Sequence, residues 1–496
     1  VSRPLSGAIE ALLADGASAR ANVELTGNVT GITLDSRAVQ PGDIFAALPG
    51  ALTHGASYSA QAASRGAVAV FTDPAGRADA EATGLAVIVV ENPRRHLGAL
   101  SAWTYGNPAT KLKIIGITGT NGKTTITYLL EAAFSRLGVL NGVIGTTGTH
   151  IGDEHIESVR TTPESPDLHA TLALMVERGV QVVAMEISSH SLVLGRVDGM
   201  RVDVACFTHL SWDHIDFHRD MESYYRAKAS LFTPDRAISA VIGTDDSWGT
   251  RLAHECAVPF VTVARQHADW TVTSVDTGSD GQQRVKVDGP SGAITFDLSL
   301  SGDFNVLNAL GAAACVERLG YDVATAVQAF SDVHVPGRME RVDRGQSFLA
   351  LVDYAHSPDA IRRVLESVQS TVSGRIIVVL GCGGDRDREK RPGMGAAAVK
   401  GADVVIVTDD NPRSEDPAAI RAALLDGINS AGLVRANDVR EIADRALAIV
   451  TAVTLAEAGD VVLVLGKGHE QGQEIAGVVH DFDDRVVLAM ALEGRA

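Results

Sequence analysis

The apolar positions of this chain switch repeatedly between two periods. Residues 113–118 (Lys-Ile-Ile-Gly-Ile-Thr) form a short β-branched run, and from residue 126 the period changes. Ile126, Leu129, Leu130, Ala133, Phe134 and Leu137 then recur at the spacing of one helical face. The same change recurs downstream. Apolar runs predict strands at Gly142–Gly145, Gln181–Ile187, Val202–Thr208, Phe348–Asp353, Arg375–Leu380, Asp403–Thr408 and Asp460–Leu465, and helical spacing appears over 166–178, 358–370 and 417–428. Such alternation predicts βαβ units around mostly parallel sheets. Unbroken apolar strands such as Ile376–Leu380 and Val461–Leu465 belong in sheets covered on both faces.

Two breaks divide the pattern. Before Tyr105-Gly-Asn-Pro108, short strands (Ile32–Leu34, Ala67–Phe71, Leu85–Val90) sit between Gly- and Pro-bearing turns, and Pro336-Gly337 separates the two later stretches. The expected segments are 1–108, 109–335 and 336–496, without internal repeats. At 496 residues the chain suits about three domains. The architecture expected is α/β in three domains: mixed α/β, then a central P-loop ATPase-type parallel sheet, then a Rossmann-like C-terminal domain.

Composition narrows the chemistry. Hydrophobic residues make up 45% and charged residues 21%, with a net charge of −18, so a non-specific nucleic-acid surface is excluded and anionic substrates need local basic groups. Cys206, Cys256, Cys315 and Cys382 lie at least fifty residues apart, which gives no CxxC pair and fits a reducing compartment. Glu10 and Asp15 beside the first apolar stretch argue against a signal peptide, and no run approaches the ~20 apolar residues needed to span a bilayer. A cytoplasmic protein without membrane or nucleic-acid partners is expected.

The first strand and helix enclose Gly119-Thr120-Asn121-Gly122-Lys123-Thr124-Thr125. Strand, glycine loop, Lys-Thr and helix are the context of a phosphate-binding loop. Glycines let backbone N–H groups curl round phosphate oxygens at a helix N-terminus; Lys123 would neutralise β/γ-phosphates and the Thr124 hydroxyl would hold Mg²⁺. The strict GxxxxGK[ST] pattern asks for glycine where Ile117 stands.

Ligands of such sheets gather at the carboxyl ends of strands. Glu186 leaves one strand, either as a second Mg²⁺ ligand or in a strand-end salt bridge. His209-Leu-Ser-Trp-Asp213-His214-Ile-Asp216-Phe-His218 ends another, but its spacing matches no standard zinc pattern and no structural metal is expected. Lys228 falls within an apolar helical face of Tyr224, Tyr225, Leu231 and Phe232. It either snorkels to water or is forced neutral and takes up CO₂ as a carbamate. Of Asn305 and Asn308, one can cap a helix and the other read an adenine edge. Arg338 and Asp353 either close over a triphosphate or form an interdomain salt bridge. Gly381–Arg386, Asp409–Arg413 and Gly466–Glu470 follow three buried strands, a set that suits a small zwitterion with carboxylates on arginine and ammonium on Glu470.

Taken in order, Asp35-Ser36-Arg37, Gly119–Thr125, Thr161-Thr162-Pro163, Met185–His190, Asp213–His218, Tyr224–Phe232, Gly302–Asn308, Gly337–Glu340, Asp353–His356 and Gly466–Glu470 resemble the Mur ligases over nearly the whole chain. These ATP-dependent enzymes add amino acids to the UDP-N-acetylmuramoyl peptide precursor of peptidoglycan. Asp410-Asn411-Pro412-Arg413 resembles the segment that marks the diaminopimelate-adding members; lysine-adding members lack the arginine. The resemblance implies a catalytic set of Lys123, Glu186, Lys228 and His214. It implies ATP on Gly119 to Thr125, Asn305, Asn308, Arg338 and Asp353, with Mg²⁺ on Thr124, Glu186 and carbamylated Lys228. The UDP-muramoyl dipeptide falls on Ser36, Thr161, Thr162, Ser188 and Arg196, and diaminopimelate on Arg386, Asp410, Asn411, Pro412, Arg413, Gly466 and Glu470. A monomer is expected. Leu194, Gly243 and Ser357 depart from residues common in the family. Rival expectations are a lysine-adding member, a folylpolyglutamate-synthetase-like ligase, and a non-enzymatic nucleotide switch.

Overall fold

The computed structural model describes residues 2–158, 160–278, 282–369 and 372–495. Three α/β units follow one another, each with its own sheet and with apolar residues buried on both of its faces.

The first sheet has five strands in the order Arg20–Ala21, Ala86–Val89, Ala69–Thr72, Asp43–Ala46, Gly31–Thr33, parallel except at the first pair. The second has eleven. Seven neighbours are parallel: Asn141–Gly145, Val182–Glu186, Lys113–Thr118, Val202–Phe207, Ala237–Gly243, Phe260–Ala264 and Trp270–Thr277. Antiparallel strands extend both edges, Gly148–Ile151 with Glu154–Ile156 on one side and Gln283–Gly289 with Gly292–Leu298 on the other. None of these edge strands forms a continuous apolar run: Gln283–Gly289 alternates buried and exposed positions, and Gly148–Ile151 and Glu154–Ile156 are short and largely polar.

From Lys113–Thr118 the chain builds outward to one side, then crosses over that strand to continue on the other, from Val182–Glu186 to Val202–Phe207. Such a reversal leaves a crevice at the strands' carboxyl ends. The helix Lys123–Arg136 packs Ile126, Leu129, Leu130, Ala133 and Phe134 against the sheet, each almost completely buried. At about 1.5–3 kcal/mol per large apolar side chain, this face fixes where the loop before the helix sits.

The third sheet runs Glu340–Arg341, Leu349–Asp353, Val461–Leu465, Ile376–Leu380, Val404–Val407, Asp438–Glu441, parallel after an antiparallel first pair. A hairpin, Gly472–Ile475 and Val478–Asp481, stands beside it. The helix expected over 358–370 spans Pro358–Gln369; Ser370 lies outside the described residues. Two expectations are corrected. The Lys228 helix ends at Ala229, so Leu231 and Phe232 lie on a following 3₁₀ turn. The helix Asp303–Arg318 takes Gly302, not an asparagine, at its N-cap, and Asn305 instead donates back to the Ser301 carbonyl at 2.7 Å.

Candidate active site

Ile117 is still inside a strand and wholly buried, so its place in the pattern needs no glycine. The turn that does need one comes later. Gly122 has φ +90°, and a Cβ there would collide with the Asn308 side chain. The loop is tied from outside: Thr208 Oγ1 donates to the Asn121 carbonyl at 2.7 Å, and Thr120 N donates to the His209 carbonyl at 2.8 Å. With Gly122 at the N-cap and no side chain capping it, the first helical N–H groups are open to an anion. Lys123 donates to the Gly119 and Thr120 carbonyls at 3.0 and 2.9 Å, and burial pushes its pKa down.

Thr124 donates to Glu186 Oε1 at 3.0 Å, and Glu186 accepts further from Thr146 N at 2.8 Å and Thr146 Oγ1 at 3.1 Å. Glu186 is therefore no strand-end ion pair; its donors are a hydroxyl pair and a backbone amide at the cleft. From the C-terminal unit, Arg338 donates to Thr124 Oγ1 at 3.2 Å and lies over the Tyr354 ring. Asp353 accepts from Met339 N at 2.7 Å and Ala355 N at 2.8 Å, which fixes the strand end that carries Tyr354. Together these groups line a cleft of about 280 Å³ that also takes in Thr161, Ser188, His214, Asn308, Phe304 and Leu307.

Lys228 does not snorkel. Its side chain is buried, and Nζ donates to the Gly119 carbonyl at 2.7 Å with the Tyr224 ring beneath it. Burial, reinforced by the Lys123 ammonium, holds its pKa well below the usual lysine value. His214, half-buried with φ +57°, packs edge-on to His190. Beside it Asp213, in the histidine segment but given no role from sequence, faces His356 at 3.9 Å and Lys390 at 3.7 Å across the interface. Burial alone would raise the Asp213 carboxyl, but His214, Lys390 and His356 outweigh it and hold it below the usual carboxylate range.

Thr162 Oγ1 donates to the Glu186 carbonyl at 2.9 Å and accepts from Ser188 N at 3.1 Å, while the Thr161 and Thr146 hydroxyls pair at 3.1 Å. Arg196 pairs with Glu164 at 2.8 Å, and Ser36 donates to Gln61 at 2.7 Å in the first unit; neither lines the cleft. Gly243 abuts the Thr208 carbonyl so closely that a larger side chain has no room there.

A separate cluster gathers at three strand ends of the third sheet. Arg413, with φ +52°, donates to the Gly384 carbonyl at 2.6 Å and faces Glu474 at 3.4 Å. Asn411 donates to Glu470 Oε2 at 2.7 Å, Asp410 lies against Gly466 and Gly381, and Arg386 is exposed. The Glu470 carboxyl is pushed up by burial and by Asp410, against the pull of Lys467 and Asn411. Sequence reasoning missed Lys467, Lys390 and Arg445, because a lysine or arginine at the end of an element gives no sign of being buried.

Three domain models of one family match the chain: "Mur ligase family, catalytic domain" over residues 28–105, "Mur ligase middle domain" over 117–316 and "Mur ligase, glutamate ligase domain" over 337–468. A UDP-N-acetylmuramoyl-L-alanyl-D-glutamate–2,6-diaminopimelate ligase of Streptomyces avermitilis is 51% identical over 482 residues, covering 96% of this chain and 95% of that protein. The chain belongs to the Mur ligase family. A ligase of the same description from Corynebacterium glutamicum is 47% identical over 474 residues, covering 94% of this chain and 92% of that protein. A solved structure of such a ligase is 34% identical with a TM-score of 0.66, covering 96% and 97% of the two chains. A Mycobacterium tuberculosis folylpolyglutamate synthase shares the fold at 20% identity and TM-score 0.61, over 74% of this chain and 91% of its own.

Proposed function

We propose that this chain joins meso-2,6-diaminopimelate to UDP-N-acetylmuramoyl-L-alanyl-D-glutamate, converting ATP to ADP and phosphate, in cytoplasmic synthesis of the peptidoglycan precursor. The observation that carries the reading is Asp410-Asn411-Pro412-Arg413 set beside Glu470 and Gly466, one domain away from a phosphate-binding loop. The names of the relatives support it.

In this reading residues 1–108 bind the UDP-substrate, 109–335 bind ATP and 336–496 bind the amino acid. The D-glutamyl γ-carboxylate attacks the γ-phosphorus in line and releases ADP; the amine of diaminopimelate then attacks the acyl phosphate and phosphate leaves. Such transfers need positioning and charge neutralisation rather than a protein nucleophile. Gly119 to Thr125 cradle the phosphates, Lys123 and Arg338 neutralise them, and Asn305, Asn308 and Asp353 shape the nucleotide site. Ser36, Thr161, Thr162, Ser188 and Arg196 hold the UDP-muramoyl dipeptide. Arg386, Asp410, Asn411, Pro412, Arg413, Gly466 and Glu470 hold diaminopimelate, and His214 closes the cleft beside Asp213. The hydroxyl of Thr124 and the carboxylate of Glu186, 3.0 Å apart at the cleft, are hard oxygen donors that fit Mg²⁺. Mg²⁺, when bound there, supplies charge neutralisation on the phosphates. A dehydrated Lys228, held neutral, is suited to form a carbamate and add a third oxygen ligand. Water is kept from the acyl phosphate by the domain contacts through Asp213, His356 and Lys390. The enzyme acts as a monomer.

The test is a competition assay with ATP, the UDP-muramoyl dipeptide and equal diaminopimelate and lysine. The parent protein should incorporate diaminopimelate, and Arg413→Ala should lose about 2–4 kcal/mol in kcat/KM for it, because the far carboxylate loses a bidentate partner. Lysine should gain little, since removing an attraction builds no pocket for an ammonium tip. Equal incorporation of lysine by the parent protein would overturn the diaminopimelate assignment.

A further inference from the structure

The strand-end pocket is built over a cation that none of the roles above uses. The Lys467 side chain is 0% exposed. Its ammonium donates to the Gly472 carbonyl at 2.6 Å, to Asn411 Oδ1 at 3.2 Å and to Glu470 Oε2 at 3.3 Å. Asn411 closes the ring: its Nδ2 donates to the same Glu470 Oε2 at 2.7 Å, and its Oδ1 also accepts from Glu474 N at 2.9 Å. An ammonium stripped of water persists only where charged or strongly polar partners satisfy it. Here those partners come from the loops that follow Val404–Val407 and Val461–Leu465 and from the hairpin strand Gly472–Ile475.

The consequence falls on Glu470. Its Oε2 is occupied by two donors, whereas Oε1 accepts no hydrogen bond among the described residues, and the side chain stays 33% exposed. One oxygen is anchored and the other keeps its acceptor capacity. The charged and titratable groups that face it are Asp410 and Lys467, with Arg445 and Tyr354 further off.

We propose that Lys467 is a positioning residue for the amino-acid substrate: it locks Asn411 and Glu470 Oε2 so that Glu470 Oε1 meets the incoming ammonium group. The inference rests on the reading of this pocket as the amino-acid site. Burial and Asp410 already favour protonation of Glu470, and Lys467 opposes them. Removing Lys467 therefore shifts the protonation of Glu470 to higher pH and weakens ammonium binding on the acid side.

The experiment uses the full chain with Lys467→Met, and measures KM for diaminopimelate, for ATP and for the UDP-muramoyl dipeptide, with the pH profile of kcat/KM for diaminopimelate. KM for diaminopimelate should rise about 10- to 100-fold, the effect of leaving a buried charged group without its partner. The other two KM values should not move, and the acid limb should shift to higher pH. Glu470→Gln is measured with and without Lys467→Met; the lysine change should add little once the carboxylate is gone. If Lys467→Met does not fold, Lys467→Gln, which keeps a hydrogen-bond donor for the Gly472 carbonyl without the charge, carries the same measurements and the same expected outcomes. Equal rises in all three KM values, an unmoved acid limb, or a full additional loss on the Glu470→Gln background would overturn the proposal. A parent protein that fails to incorporate diaminopimelate would instead sink the pocket reading itself; incorporation with unaltered Lys467→Met kinetics sinks only the role of Lys467.

Discussion

Replacing Arg445 with methionine removes a guanidinium buried together with its partner, Asp484, both side chains 0% exposed. The pair is bidentate: Nε and Nη2 each reach an Asp484 oxygen at 2.7 Å. Nη2 also donates to the Leu465 carbonyl at 3.0 Å, and Nη1 reaches the Asp409 carbonyl at 3.4 Å. Breaking a buried pair by removing one partner costs about 3–5 kcal/mol, because the remaining charge is left uncompensated. The Leu465 acceptor, losing its donor, adds about 1–3 kcal/mol. Removing both charges, Arg445→Met with Asp484→Leu, cancels the first cost and leaves the second, so the double variant should be more stable than Arg445→Met alone by about 2 kcal/mol or more. Hydrogen exchange of the Val461–Leu465 amides reports this locally, since those strands lie in the core of the C-terminal sheet. The two anchored carbonyls immediately precede Gly466 and Asp410, so KM for the amino acid should rise while nucleotide affinity holds. A loss below about 1 kcal/mol for Arg445→Met, or additive costs in the double variant, would refute the reasoning.

Three further outcomes are expected. Gly122→Ala forces an L side chain into a backbone at φ +90° and against Asn308, so ADP affinity measured by calorimetry should fall about tenfold or more. Lys228→Ala should be nearly inactive yet folded, with partial recovery in a small carboxylate such as acetate and loss of a carbamate ¹³C signal seen in the parent; full activity would dismiss the carbamate. His169, buried against the Asp198 carbonyl, has its pKa lowered by burial to about 4. The unfolded residue takes its proton near 6.5 and the folded one only near 4, so stability is lost as pH falls through that window. The loss should be about 3 kcal/mol, and denaturation of His169→Gln should lack that slope.

Much of the proposed nucleotide site could be read from local order. Gly119 to Thr125 announces itself because a strand, a turn that needs glycine and a helix face are contiguous, and each is set by short-range sterics and periodicity. Glu186 and Lys228 were found by position after a strand and on an apolar face, but whether each was a ligand-type group or a surface ion depended on neighbours far along the chain. Thr146 and Thr124 resolve the first, and Gly119 and Tyr224 the second. The edge strand Gln283–Gly289 escaped because alternate side chains face water, and Gly148–Ile151 and Glu154–Ile156 because they are too short and polar to form an apolar run.

The sequence by itself determined the alternation of β and α, the glycine loop between strand and helix at Gly119 to Thr125, and the acid-and-arginine segments at strand ends. Those features need only the periodicities of one element or the chemistry of one loop. Only the tertiary structure decided which polar residues are stripped of water. Lys467 and Arg445 adjoin apolar elements and Lys390 stands in a polar one, yet nothing local says which charge is buried: folding places the first two at 0% exposure and sets the third 3.7 Å from Asp213. The reason is that desolvation is a property of packing: separate strands, helices and loops must converge before a charge loses its water, and no local pattern records that convergence.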